Sequence, residues 1–157
     1  MIREMTKNDW PRVSAIYQQG IDSGIATFTT TCPTYEEWDL SHAKECRFVF
    51  EDQGIVAGWI AVSPTSQRCV YKGCVEMSIY IDKNYQHKGI GEKLVKHLIK
   101  EAPVAGFWSI YSAIISINKA SYNLHKKCAF REIGYRERIA KDKFGNWQNT
   151  TLFEMRF

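Results

Sequence analysis

The chain has 157 residues, 45% of them hydrophobic and 24% charged, with a formal net charge of +4. That is enough for one domain with a real core, and the mild charge excludes a basic stripe of the kind that holds nucleic acid. No apolar run approaches the roughly 20 residues needed to span a bilayer, and the opening MIREMTKNDW lacks an apolar signal core, which argues against membrane or export partners.

Residues Ile2 to Met5 suit a short strand, after which Thr6 or Asn8 caps an amphipathic helix reaching Ile21, with Trp10, Val13, Ile16 and Tyr17 inside. Thr34-Tyr35-Glu36-Glu37 reads as a capping box that opens a second helix to about His42. Arg47 to Glu51 and Ile55 to Ser63 form a hairpin across Asp52-Gln53-Gly54, and the loop Pro64 to Gly73 leads into a β-rich run, Val75 to Ile81. The main helix covers Gly89 to Ala102, where Ile90, Leu94, Leu98 and Ala102 recur at i, i+4 spacing. Trp108 to Ile115 is a strand, Asn118 to Cys128 a helix and Phe130 to Ile139 a strand. Phe144-Gly145-Asn146 then turns the chain into a last strand, Thr150 to Phe157. The order implies a mixed α/β (α+β) fold around a largely antiparallel sheet.

The five cysteines, at 32, 46, 69, 74 and 128, are odd in number and form no Cys-x-x-Cys pair. Reduced structural thiols in a cytoplasm fit this pattern, and no metal site is expected.

One segment carries chemistry. The strand ending at Ile81 meets a polar corner, Asp82-Lys83-Asn84, and then Gln86-His87-Lys88-Gly89-Ile90-Gly91 opens the main helix. Glycines at a first helical turn let the backbone approach a ligand, and free N–H groups with the helix dipole attract anions. The run lacks the Gly-Lys-Ser/Thr ending of a P-loop, and Leu94 stands where a dinucleotide fingerprint needs its third glycine. Its Gln-x-x-Gly-x-Gly instead resembles the coenzyme A pyrophosphate loop of the GCN5-related N-acetyltransferases (GNAT). Asn118-Lys119-Ala120-Ser121-Tyr122-Asn123-Leu124-His125, after the strand Ile110 to Ile115, resembles the same superfamily's later helix. With Gly24-Ile25-Ala26-Thr27-Phe28, Val75 to Ile81 and Lys143 to Trp147, the whole chain resembles the phosphinothricin acetyltransferase subfamily.

That resemblance implies the GNAT fold, with the central strand splayed from its neighbour by a bulge. It also implies acetyl-CoA as cosubstrate, a small-molecule amine as acceptor and a homodimer. His87, Lys88, Gly89, Ile90, Gly91 and Glu92 would hold the diphosphate, and the backbone of Ile79, Tyr80 and Ile81 would hold the pantetheine arm. Asn118 would bond the coenzyme arm, or simply cap its helix. Glu76 lies inside a strand where apolar residues are expected. A carboxylate there is costly without a task or a partner, so it is a candidate general base, against the plainer reading of a strand Glu paired with a cation. His125 is a candidate acid for the departing thiolate, or else a structural histidine. Phe28 and Trp147 fall in motifs that would wall an acceptor pocket, whereas Trp38 and Trp59 suit a core. Lys72 stands where the family often has an arginine for an acidic acceptor. Three departures, Lys72, Gly145-Asn146-Trp147-Gln148-Asn149 and Cys128-Ala129-Phe130, leave the coenzyme motif intact and the acceptor open. Another acceptor (a protein N-terminus, a polyamine or an antibiotic) and a non-catalytic acyl-CoA-binding module are the competing expectations.

Overall fold

The computed structural model of the chain describes residues 1–157 and contains one seven-stranded sheet. Its strands are β1 (Ile2–Glu4), β2 (Phe48–Asp52), β3 (Ile55–Pro64), β4 (Cys74–Ile81), β5 (Ser109–Ile115), β6 (Arg131–Lys141) and β7 (Trp147–Arg156). The helices are α1 (Trp10–Ser23), α2 (Tyr35–Ser41), α3 (Ile90–Glu101) and α4 (Lys119–Lys127). Strand order across the sheet is β1-β2-β3-β4-β5-β7-β6, and every neighbouring pair is antiparallel except β4 and β5. No helix is long and apolar enough to cross a membrane.

β3 is apolar without alternation because both of its faces are covered. Ile60 and Val62 join Leu94, Leu98 and Ile110 in the larger core cluster. Trp59 and Ala61 face the other way, into a smaller cluster with Val13 and Ile16 of α1 and Trp38 of α2. The i, i+4 row read from the sequence is the buried row of α3: Ile90, Leu94, Leu98 and Ala102 are each at most 4% exposed. Trp38 and Trp59 are core residues, as their type suggests.

Several boundaries differ from expectation. Neither Thr6 nor Asn8 caps α1. Thr6 instead starts a short 3-10 turn, Lys7–Asp9, closed by its N–H donating to Asp9 Oδ2 at 2.8 Å. Asp9 precedes α1 and is held by Arg3 through two bonds of 2.9 Å, which ties β1 to the helix. α2 keeps its capping box, with Glu37 N–H donating to Thr34 Oγ1 and Thr34 N–H to Glu37. β7 begins at Trp147 rather than Thr150, and β6 runs on to Lys141. The pairing of β6 slips between Arg136 and Ala140, where Arg138 takes a φ of 45° and its N–H donates to the Asn149 side chain. That irregularity absorbs the mismatch and lets the hairpin continue.

The feature that positions the site lies between β4 and β5. Their parallel pairing covers only Cys74↔Ser109, Val75↔Ile110 and Glu76↔Tyr111. Beyond Glu76 the strands part. β4 continues to Ile81 and β5 to Ile115, each paired only on its outer side. The splay is therefore present, but the bulge expected with it is not. β4 keeps an unbroken register against β3, from Pro64↔Val75 to Gly58↔Ile81, so the gap opens by divergence of two regular strands. Inward-facing N–H and C=O groups of both strands are left without a strand partner there. An unmade backbone bond costs about 1–3 kcal/mol if nothing replaces it, so water or a ligand belongs in the gap.

Candidate active site

Two cavities meet at this fork. The larger, about 730 Å³, runs along the outer half of β4 and the start of α3. Ile79, Tyr80 and Ile81 form its floor, and His87, Gly89, Ile90, Gly91, Glu92 and Asn118 line it. His87 and Gly89 have φ of 62° and 75°, the left-handed turn that brings the chain into α3. The glycine makes that turn at no steric cost and leaves open space where a Cβ would stand. Lys88 alone of this run is outside the lining, its Nζ resting 4.8 Å above the ring of Tyr85, which does line the cavity. Asn118 also caps α4, accepting from Ser121 N–H at 3.2 Å.

Glu92 puts a negative charge beside an otherwise anion-attracting helix start. Lys127 at 2.6 Å and Lys96 at 2.7 Å neutralise it and hold its carboxyl down to about 2. The dipole and free N–H groups of α3 thus remain available to an anion. The corner before this loop is fixed by Asp82, 1% exposed, which accepts from Arg12 at 2.6 Å, Gln19 at 3.0 Å and Asn84 N–H at 2.8 Å. Sequence reading passed over this clamp, because Arg12 and Gln19 come from α1, far away in the chain.

The smaller cavity, about 400 Å³, shares Ala26, Ile79, Tyr80 and Ser121 with the larger one. Glu76, Phe28 and His125 all line it. Glu76 is half-buried and forms no hydrogen bond or ion pair; burial pushes its carboxyl above the usual range. His125 is 1% exposed, stacked on Phe153 with ring centroids 5.0 Å apart. Its Nδ1 donates to Ser121 O at 2.6 Å, and its Nε2 meets Ser112 Oγ at 2.8 Å. Burial lowers its pKa, partly offset by the Ser121 carbonyl, so the ring is neutral near pH 7. A neutral ring with both nitrogens engaged is not a ready acid, and that bears on the role expected of it.

Tyr80 lines both cavities. Its ring lies against Trp59 and Tyr17, at centroid distances of 5.0 and 4.9 Å. It also fills the space above Gly20, where a Cβ would come within 2.6 Å of two ring carbons. Lys72 and Trp147 line neither cavity. Lys72 follows a 3-10 turn, Cys69–Tyr71, while Trp147 is exposed at the start of β7 under Lys141 Nζ. His42, at the end of α2, also lines the smaller cavity, stacked 4.4 Å from Trp38. Ser41, Ser63, Ser78, Ser112 and Thr27 add hydroxyls, and no lysine or arginine is present in its wall.

Residues 7–130 match the Acetyltransferase (GNAT) family. The chain belongs to that family. This acetyltransferase is 30% identical to phosphinothricin N-acetyltransferase of Streptomyces viridochromogenes, over 99% of the chain and 87% of that protein. It is 26% identical to an L-methionine sulfoximine/L-methionine sulfone acetyltransferase of Pseudomonas aeruginosa, over 98% of the chain and 92% of that protein. Among solved structures, it resembles a GNAT superfamily phosphinothricin acetyltransferase from Sinorhizobium meliloti in complex with AcCoA. The TM-score is 0.89 at 25% identity, covering 100% of this chain and 88% of that one. The acetyltransferase therefore has the family's fold over its full length, with the divergence of β4 from β5 at its centre.

Proposed function

We propose that this acetyltransferase moves the acetyl group of acetyl-CoA to the primary amine of a small amino-acid-like acceptor, of the phosphinothricin or methionine sulfoximine kind. The observation that carries the reading is the junction at Ile79 and Tyr80. There a groove built for an anion opens into a small cavity whose one carboxylate, Glu76, has no partner. In this reading the N-terminal turn of α3, from His87 to Glu92, holds the diphosphate. The unpaired backbone of Ile79, Tyr80 and Ile81 holds the pantetheine arm as an added strand would, with Asn118 beside it. A β4 N–H facing the gap steadies the oxyanion that forms when the amine attacks. Glu76 takes the proton that the acceptor ammonium must lose before attack, its raised pKa suiting a general base. Phe28 packs against the acceptor.

The lining of the smaller cavity narrows the acceptor. An acidic tail, such as the phosphinate of phosphinothricin, would face Glu76 with no cation in the wall. A sulfone or sulfoximine tail instead needs hydrogen-bond donors, which Ser63, Ser78 and Thr27 can supply. A homodimer and a cytoplasmic location belong to the same reading. The homodimer is the arrangement in which Lys72 and Trp147, outside the cavity of one chain, could contribute to an acceptor site.

The test is thiol release from acetyl-CoA against phosphinothricin, methionine sulfoximine, methionine sulfone, the common amino acids, polyamines and an N-terminal peptide. Turnover confined to the first three supports the reading. Robust turnover of a polyamine or the peptide keeps the acetyltransferase and replaces the acceptor. Tight acetyl-CoA binding with no turnover of any amine supports a non-catalytic acyl-CoA-binding module instead.

A further inference from the structure

Resting on that acetyl-transfer reading, we propose that Ser112 and His125 form a proton shuttle, taking the amine's second proton and delivering it to the departing thiol. An amine that arrives as an ammonium loses two protons in becoming an amide. Glu76 accounts for one. The other is still on nitrogen in the tetrahedral adduct, while coenzyme A leaves as a thiolate, with a thiol pKa near ~8.5 by analogy with cysteine. One group that can take a proton and give it back meets both needs.

The geometry fixes who carries which proton. Ser121 O is a carbonyl and can only accept, so the hydrogen it receives at 2.6 Å is on His125 Nδ1. The neutral ring then has a bare lone pair on Nε2, and Ser112 Oγ, 2.8 Å away, must donate to it. The Ser112 oxygen has no other hydrogen-bond partner, so its lone pairs are unclaimed, and both residues line the smaller cavity. The ring is held between Phe153 and Phe130, and no carboxylate or cation contacts it from α4, β5 or β7.

Placement makes this more than a satisfied core histidine. Ser112 is the first residue of β5 past the last β4–β5 pair, Glu76↔Tyr111. Glu76 and Ser112 therefore stand on the two strands at the point where they part, and both line one cavity. Ser112 and His125 are 4% and 1% exposed, so bulk water does not reach the ring directly.

The steps balance. As the C–N bond forms, Ser112 Oγ accepts the amine proton and passes its own to Nε2, giving an imidazolium whose Nδ1–H stays on Ser121 O. As the C–S bond breaks, Nε2 returns its proton to Ser112, and the Ser112 proton moves to sulfur. Amine plus thioester give amide plus thiol, and the dyad ends as it began. His125 acts through Ser112 as base and then as acid, which a fixed proton donor could not do.

The experiment compares wild type with Ser112→Ala and Ser112→Thr on acetyl-CoA and the best amine of the panel, with folding checked by thermal unfolding. Ser112→Ala should lower kcat by about 10²-fold, the low end for general acid–base catalysis, with KM for acetyl-CoA within about twofold. Ser112→Thr keeps the hydroxyl and should restore most of the rate. A packing role predicts the reverse order, since Thr adds a methyl to a buried site. ¹⁵N NMR of the histidines should find His125 protonated on Nδ1 and bare on Nε2. The proposal is overturned by a normal kcat in Ser112→Ala, by Thr no better than Ala, or by a proton on Nε2. Absence of amine turnover in wild type overturns the acetyl-transfer reading beneath it, and is recognised as such by the wild-type control.

Discussion

Replacing Glu76 by Gln should make the protein more stable and less active. The carboxylate is half-buried on β4, without a hydrogen-bond or ion-pair partner, and burial raises its pKa above the unfolded value near 4.5. The folded state therefore binds the proton more tightly than the unfolded chain. Between the two pKa values it holds more protons, so stability falls as pH rises through that window and stays lower above it. Burying a charge without a partner costs more than burying a neutral amide in the same place, a difference of about 1–3 kcal/mol. Glu76 faces a cavity that water can enter, and screening takes this to the lower end, about 1 kcal/mol. Gln has the same shape without the charge. For a chain of this length, 1 kcal/mol is about 2–4 °C in Tm. Thermal unfolding of both proteins at pH 7 should show a gain of that size in Glu76→Gln, vanishing below about pH 4, where wild type is protonated as well. The same preparation should lose about 10²–10⁴-fold in kcat/KM, most severely where the amine is still protonated but Glu76 is already ionised, and least at acid pH, where wild type has lost its base as well. An unchanged or lower Tm at pH 7 would mean that Glu76 has a partner after all. Normal turnover across the pH range would remove the general base.

Other outcomes follow from the same structure. Asp82→Ala strips three donors of their buried acceptor and should cost about 3 kcal/mol, or about 6–12 °C in Tm; a loss under about 1 kcal/mol would mean the clamp is ornamental. Burial pushes the Asp82 carboxyl up, but Gln19, Asn84 and Arg12 together hold it below its ordinary value of 3.8. Its stabilisation is thus present above that pH and fades as pH falls through the lower folded value, visible in an acid unfolding series. Gly89→Val forces a branched residue into φ of 75°, and calorimetry should find acetyl-CoA binding abolished while the fold survives, because the added atoms meet open space. Methionine sulfone should exceed phosphinothricin in kcat/KM by at least about tenfold, since one extra like charge at ~4 Å is worth about 1–4 kcal/mol. Equal values would mean that a cation reaches the tail from outside the cavity of one chain.

Much of the fold was legible because its signals are local. The α3 row from Ile90 to Ala102 shows its period within one helix, and the Thr34–Glu37 capping box completes itself within four residues. The left-handed turn at Gly89 is written in the glycine itself. The strand ends at Thr150 and Ile139 were misread for a matching reason. The pairing that carries β6 to Lys141 and starts β7 at Trp147 depends on a slip between two strands, and neither strand records it alone.

By itself, then, the sequence determined the element order, the glycine turn that opens α3 and the odd carboxylate at Glu76, each fixed by a few neighbouring residues. Only the tertiary structure decided where β4 leaves β5, because a pairing lost after Glu76↔Tyr111 depends on how the whole sheet twists around its two cores. It likewise turned Ser112, one small residue in an apolar strand, into the partner of His125. It brought Asp82 under Arg12, put His42 against the cavity and left Lys72 and Trp147 outside it. A cavity is enclosed by residues distant in the chain, and no local pattern of hydrophobicity or propensity encodes which of them will meet.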